Sequence, residues 1–298
     1  MTDQIEREAF RVLMPDGRWL SAEIAGPEDG DLLVLHVGTP GSCYLFEGHV
    51  RECVGRGLRI VSASRPGYDG SPRLRGRSYA RNPADTRALL DFLGVERAYV
   101  MGHSGGGGPA LADAALNSDQ VRSVAVVSTF APRRAMGSTW REDLEANEPE
   151  LTALEEGESR LRKKLVRDIE GMAHAKTAED ITFNPDFPEI FSPVDRACFE
   201  GEFLDYYLEC SRRIQKGVDG WLDDDFALYE DWGFDLDSIH VPVSIWRGGK
   251  DNLIPTAHTE WLARHVPGAQ LKSLDDEGHI SLFTRHYNEI LKDLIDLG

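Results

Sequence analysis

Nowhere in the 298 residues do 18 consecutive apolar residues occur, so the sequence offers no membrane-spanning helix. The opening residues, Met1 to Phe10, are polar and acidic and lack the apolar centre of a secretory leader, and a soluble, cytoplasmic protein is expected. Cysteine is scarce as well. Cys43, Cys53, Cys198 and Cys210 stand singly, with no CxxC pair for zinc and no framework for a disulfide-stapled domain, which leaves buried thiols in a reducing compartment. Positive charge is short: 33 Lys and Arg face 51 Asp and Glu, a formal net charge of −18. Affinity for nucleic acid comes mainly from cations that displace phosphate counterions, so no nucleic-acid partner is expected. Internal repeats and low-complexity tracts are missing too.

What is present is a succession of short apolar runs. Phe10 to Met14 and Arg18 to Ala25 flank the turn Pro15-Asp16-Gly17 and read as a β-hairpin. Leu32 to Val37 is continuously apolar, as a strand covered on both faces must be, and ends in Gly38-Thr39-Pro40-Gly41-Ser42, after which a helix is expected. Leu58 to Ala63, Ala98 to Met101, Val121 to Ser128, Val241 to Trp246 and Gln270 to Leu274 are runs of the same kind. Helix-length segments lie between most of them: Pro83 to Leu93 with Asn82 as N-cap, Gly107 to Leu116, and Thr256 to His265. Strands alternating with helices imply right-handed crossovers and a mostly parallel sheet with helices on both faces.

The alternation stops between Pro132 and Gly233, where the patterns are helical and 25 acidic residues face 13 basic ones. Leu151 to Glu170 and Phe199 to Lys216 read as amphipathic helices, with Pro185, Pro188 and Pro193 breaking the chain between them. The expected division is therefore a core of residues 1–131 and 234–298 with a helical cap, 132–233, lying over the sheet. Asp223-Asp224-Asp225 reads as a solvated helix start rather than a metal site, and no metal or cofactor is expected.

Gly102-His103-Ser104-Gly105-Gly106 places G-x-S-x-G between a predicted strand and a predicted helix. A turn that lifts a serine hydroxyl above the sheet edge needs tight backbone dihedrals, and side chains two residues to either side would collide with strand and helix; Gly102 and Gly106 remove those collisions. The glycines lack the lysine and the spacing of a phosphate-binding loop. This segment resembles the nucleophile elbow of the α/β-hydrolase superfamily, and the resemblance runs from the strand ending at Val37 to the terminal helix, with the cap as the divergent part.

That resemblance implies a serine nucleophile, Ser104, followed in chain order by an acid and a histidine. Gly248-Gly249-Lys250-Asp251 resembles the family's acid loop, so Asp251 is the expected carboxylate. His279, in Asp276-Glu277-Gly278-His279, alone among nine histidines follows the last predicted strand and precedes the terminal helix, and is the expected general base. The oxyanion donors implied are the N–H of Gly105 and, from a loop similar to the family's HGxPG pattern, the N–H of Thr39. In that loop the histidine sits one place early, at His36, and Val37 precedes Gly38, so the role of His36 stays open. His103 and His286 read as structural. Ser64-Arg65-Pro66-Gly67-Tyr68-Asp69-Gly70-Ser71 resembles the turn after the fourth strand and suggests a constrained loop near the pocket.

Serine at the elbow implies acyl chemistry, because the dehalogenases and epoxide hydrolases of this fold carry aspartate there. The expected activity is hydrolysis of a carboxylic ester of a small molecule through an acyl-enzyme. A proline-iminopeptidase-like aminopeptidase, whose substrate ammonium the acidic cap would hold, and a non-catalytic binding protein on the same fold remain as alternatives. Trp140, Phe203, Tyr206, Tyr207, Trp221 and Phe226 are candidates to line the acyl pocket.

Overall fold

A computed structural model describes residues 5–182, 190–215 and 217–298, so that Pro185, Pro188 and Lys216 lie outside the described residues. Among the described residues eight strands form one sheet: β1 (Arg7–Leu13), β2 (Trp19–Ala25), β3 (Asp31–His36), β4 (Leu58–Ala63), β5 (Ala98–His103), β6 (Val121–Val127), β7 (Val243–Gly248) and β8 (Gln270–Leu274). Their order is β1-β2-β4-β3-β5-β6-β7-β8. The hairpin β1–β2 is antiparallel with Arg7 opposite Ala25, β2 runs antiparallel to β4, and every later pairing is parallel.

The core helices are α1 (Glu47–Gly55), α2 (Asn82–Leu93), α3 (Gly107–Leu116), α11 (Thr256–His265), α12 (His279–Arg285) and α13 (Tyr287–Leu297). Side chains alternate across a strand, so a run buried on both faces feeds two separate cores. Leu32 and Val34 of β3 enter one hydrophobic cluster, and Leu33 and Leu35 enter the other. Val100 against Met101 on β5 and Val126 against Val127 on β6 divide in the same way. The apolar runs of the sequence are therefore the central strands of a sandwich of helix, sheet and helix.

Between β6 and β7 the described elements are helical: α4 (Arg133–Met136), α5 (Glu148–Glu155), α6 (Glu158–His174), α7 (Ala178–Thr182), α8 (Pro193–Arg196), α9 (Gly201–Ile214) and α10 (Asp219–Tyr229), with short 3-10 turns. Three local expectations need correction. The helix read across Leu151 to Glu170 is two helices, because Gly157 takes φ 106, a conformation that side chains disfavour, and breaks it between α5 and α6. Asn82 is no N-cap: it lies inside α2, which continues directly from the 3-10 turn Tyr79–Arg81, and no side chain caps that helix. The Asp223-Asp224-Asp225 run is not solvated; its residues are 2%, 2% and 6% exposed in the middle of α10. None of the described helices is long and apolar enough to cross a membrane.

The sheet order fixes where a ligand can sit. From β3 the chain moves to β4 on one side, then returns past β3 to β5 on the other, so the loops leaving β3 and β5 part at their carboxyl ends. A crevice opens at such a reversal of strand order. The loop after β3 is Val37 to Ser42, and the residue after β5 is Ser104.

Candidate active site

Ser104 leaves β5 in the left-handed region, φ 54, and begins a 3-10 turn, Ser104–Gly106, that runs into α3. A non-glycine residue held there costs of order 1–3 kcal/mol, so the surroundings must fix it. Thr129, after β6, donates a hydrogen bond to the Ser104 carbonyl at 2.9 Å. A Cβ on Gly106 would stand 2.1 Å from the His36 carbonyl oxygen, and one on Gly102 2.4 Å from that of Gly106, so only glycine fits at either place. Elbow and neighbouring strand thus touch backbone to backbone. Among the described residues the Ser104 hydroxyl has no hydrogen-bond partner, and it opens on a cavity of about 240 Å³.

His279 is the first residue of α12 and lines the same cavity. Its Nδ1 donates to Asp251 Oδ2 at 2.9 Å, while Asp251 Oδ1 accepts the N–H groups of Leu253 and Ile254, each at 2.9 Å. The two loops that carry this pair are stitched together, Lys250 N–H to the Glu277 carbonyl at 2.8 Å and Gly249 N–H to the Leu274 carbonyl at 3.0 Å. Burial opposes a charge on His279, but the Asp251 carboxylate outweighs it and raises the imidazole above its ordinary 6.5. Two other imidazoles on the cavity go the opposite way: burial lowers His49 to about 3, and burial together with His279 lowers His103 well below its usual value.

The helix that presents His279 has a further anchor. Asp195, fully buried on α8, accepts the N–H groups of His279 at 3.1 Å, Ile280 at 2.8 Å and Ser281 at 2.9 Å, and the Ser192 hydroxyl at 2.7 Å. A carboxylate on three free amide groups at a helix start satisfies donors that would otherwise be orphaned. A Cβ on Gly278 would lie 2.2 Å from Asp195 Oδ2, so the glycine makes room for the carboxylate. Nothing in the local sequence around Asp195 marks it.

Thr39 faces Gly105 across the crevice: a Cβ on Gly105 would stand 3.1 Å from Thr39 N. The Thr39 hydroxyl donates to Asp224 Oδ2 at 2.9 Å. Arg65 donates to the carbonyls of Val37 at 2.6 Å and Gly38 at 2.9 Å, to Thr39 Oγ1 at 3.1 Å, and to Asp224 at 2.7 Å. Arg77 and the Tyr68 hydroxyl also reach Asp224. The segment Ser64 to Ser71 therefore holds the loop after β3 from behind. Burial would raise the Asp224 carboxyl, but Arg65 and Arg77 hold it well below the ordinary carboxylate range. Asp223 likewise meets an arginine, Arg73, at 2.8 Å.

His36 points away from this site; its Nε2 pairs with Asp113 of α3 at 2.7 Å, and Thr86 donates to the same carboxylate. His103 donates from Nε2 to the His279 carbonyl at 3.1 Å and stacks on Phe283, while His286 bonds Glu277 and Glu289. Trp140, Phe203, Tyr206 and Tyr207 line the cavity. Trp221 and Phe226 do not; they pack into the cluster of α6 and α10 instead. Of the four thiols, Cys43, Cys53 and Cys198 are buried, and Cys210 sits half-buried on the cavity wall. Burial pushes Cys210 up to about 12, which makes it a poor nucleophile at neutral pH.

Fold and site together define an α/β hydrolase architecture. The family profile of the alpha/beta hydrolase fold matches residues 31–286, and the chain belongs to that family. The dihydrolipoyllysine-residue acetyltransferase component of the acetoin cleaving system from Cupriavidus necator is 27% identical over 236 residues, 78% of this chain and 55% of that protein. Epoxide hydrolase B from Mycobacterium tuberculosis is 32% identical over 136 residues, 44% of this chain and 38% of that protein. The chain thus spans about half of the first relative and well under half of the second. An esterase from Exiguobacterium antarcticum superposes with a TM-score of 0.69 at 18% identity, over 97% of this chain and 98% of that one, a likeness of fold.

Proposed function

We propose that this hydrolase cleaves a carboxylic ester of a small molecule through an acyl-enzyme on Ser104. The observation that carries the reading is the 2.9 Å pair of His279 Nδ1 and Asp251 on the cavity that the strained Ser104 also faces. With Nδ1 committed, Nε2 is the nitrogen free to take the Ser104 proton as the hydroxyl attacks the ester carbonyl and then to return it to the departing alkoxide. The N–H groups of Gly105 and Thr39 receive the oxyanion, and water repeats the sequence on the acyl-enzyme. Serine at the elbow favours this acyl route over an alkyl-ester intermediate. The helices of 132–233 form the cap that roofs the acyl pocket. Labelling by a fluorophosphonate probe with the modified peptide mapped to Ser104, alongside turnover of p-nitrophenyl esters, tests the reading; label on another residue overturns it.

The base works only when neutral, so kcat/KM is expected to fall on acidification through a midpoint above 6.5. Asp251→Asn removes the charge that raises His279, and the remaining burial then moves that acid limb to lower pH while kcat drops. An acid limb left in place by the substitution would rule out His279 as the titrating group.

Asp195 also contributes to raising His279, in addition to fixing the helix start. It is a positioning residue in this scheme. Asp195→Asn, nearly the same shape, is expected to lower kcat by about 10- to 100-fold with KM little changed, and to shift the acid limb downward. An unaltered pH profile would reduce Asp195 to a purely structural cap.

A further inference from the structure

The oxyanion donor proposed on the loop after β3 is a backbone group, so its aim depends on how one peptide plane is turned. The Gly38–Thr39 peptide is trans, and in a trans peptide the carbonyl and the following N–H point in opposite directions. Whatever holds the Gly38 carbonyl therefore directs the Thr39 N–H. Arg65 holds it: Nη2 donates to the Gly38 carbonyl at 2.9 Å while Nη1 donates to that of Val37 at 2.6 Å. Arg65 is 5% exposed and is not part of the cavity wall, whereas Gly38, Thr39 and Ser104 all line the cavity. The carbonyl is thus drawn to the buried side of the loop and the N–H is turned to the open side. Among the described residues the Thr39 N–H has no acceptor. A Cβ on Gly38 would stand 3.7 Å from Ser104 Oγ, so this peptide lies against the nucleophile.

We propose that Arg65 is a positioning residue for the reaction: its guanidinium turns the Gly38–Thr39 peptide so that the Thr39 N–H meets the oxyanion, and its charge polarises that peptide into a stronger donor. The inference rests on the reading in which Ser104 is acylated and Thr39 is an oxyanion donor. A cation on the peptide oxygen draws electron density through the amide, and bonds linked in this way strengthen one another by about 10–30% each. The charge is secure. Burial opposes it, but the Asp224 carboxylate outweighs burial and keeps the guanidinium protonated. The planar fork matters as much as the charge, because Nη1 and Nη2 reach two successive carbonyls while Nε and Nη2 also face Asp224. A lysine ammonium keeps the charge and cannot span all three acceptors. Since the aimed N–H is needed only once negative charge gathers on the substrate oxygen, the contribution of Arg65 falls in kcat and leaves ground-state binding alone.

The test compares the wild type with Arg65→Lys, Arg65→Met and the double variant Arg65→Met/Asp224→Asn, which leaves no carboxylate stranded; circular dichroism checks the folding of each. With p-nitrophenyl butyrate, both methionine variants are expected to lose about 10²- to 10³-fold in kcat with KM within about threefold, the loss of one oxyanion donor, and Arg65→Lys to regain about tenfold of it. Phenylboronic acid, which takes the Ser104 oxygen onto boron as a tetrahedral anion, should bind the methionine variants at least about tenfold more weakly, while neutral benzamide binds them as it binds the wild type. A kcat within about threefold of wild type in both methionine variants, a loss carried by KM, or equal weakening of boronate and amide would overturn the inference. Fluorophosphonate labelling of the wild type separates the two levels. Label on another residue brings down the Ser104 scheme and this inference with it, whereas label on Ser104 followed by any of those three results removes the role of Arg65 alone.

Discussion

Ser104→Ala is expected to abolish fluorophosphonate labelling and to lower kcat for p-nitrophenyl butyrate by about 10⁴- to 10⁶-fold. The substitution removes one oxygen and leaves the cavity, the Gly105 and Thr39 amides and the His279–Asp251 pair in place. What should survive is the part of the acceleration that the proposed oxyanion donors and substrate binding would supply without a nucleophile, about 10³-fold over water. In the proposed scheme hydroxyl and imidazole act as one unit, so Ser104→Ala and His279→Ala should each cost nearly as much as both together. Additive losses, each multiplying the other, would show that the two side chains serve separate steps. A Ser104→Ala enzyme that keeps most of its esterase rate would move the chemistry to another residue.

The largest effect on stability is expected from Asp224→Ala. Asp224 is 2% exposed and its carboxylate meets two buried guanidinium groups, with Arg65 at 4% and Arg77 at 1% side-chain exposure. Removing one partner of a buried ionic cluster strands the others, at about 3–5 kcal/mol. Urea unfolding measures the loss directly. The pH dependence has a definite sign: the folded-state value of Asp224 is depressed, so its stabilisation is fully present above the ordinary carboxylate value and is lost as pH falls towards the depressed one. The stability gap between wild type and variant should therefore narrow in acid. The same substitution unties the Thr39 hydroxyl and one side of Arg65, so ester hydrolysis should fall as well. A variant as stable as the wild type would mean that water reaches and solvates the two arginines.

The central strands and the elbow could be read from the chain because their causes are local. Leu32 to Val37 is apolar at every position, which only a strand covered twice can use, and Gly102 and Gly106 flank Ser104 where a Cβ meets backbone. Asp251 and His279 follow strands at the places the resemblance implies. The helical stretch between β6 and β7 was legible only in outline, because what its residues do depends on partners far away in the chain. Three consecutive aspartates look like a solvated helix start until Arg65, Arg73 and Arg77, some 150 residues earlier, are found against Asp223 and Asp224. Asp195 is one acid among 25 in its stretch, and its worth comes from α12, which starts 84 positions later. Trp221 and Phe226 have the aromatic character of pocket residues, yet helix phase turns them into the packing between α6 and α10. Arg65 was visible as part of a shaped turn, but its direction, towards the carbonyls of Val37 and Gly38, was not.

Asp195 and Asp224 both originate in residues 132–233 and both grip parts of the sheet-borne machinery, one the start of α12 and the other the Thr39 loop. A chimera that replaced this stretch with a foreign one to change specificity would discard two anchors along with the old helices. Such a graft would need both carboxylates transplanted in place before any comparison of substrate range had meaning, since a loss of rate would otherwise report slackened machinery rather than a changed pocket.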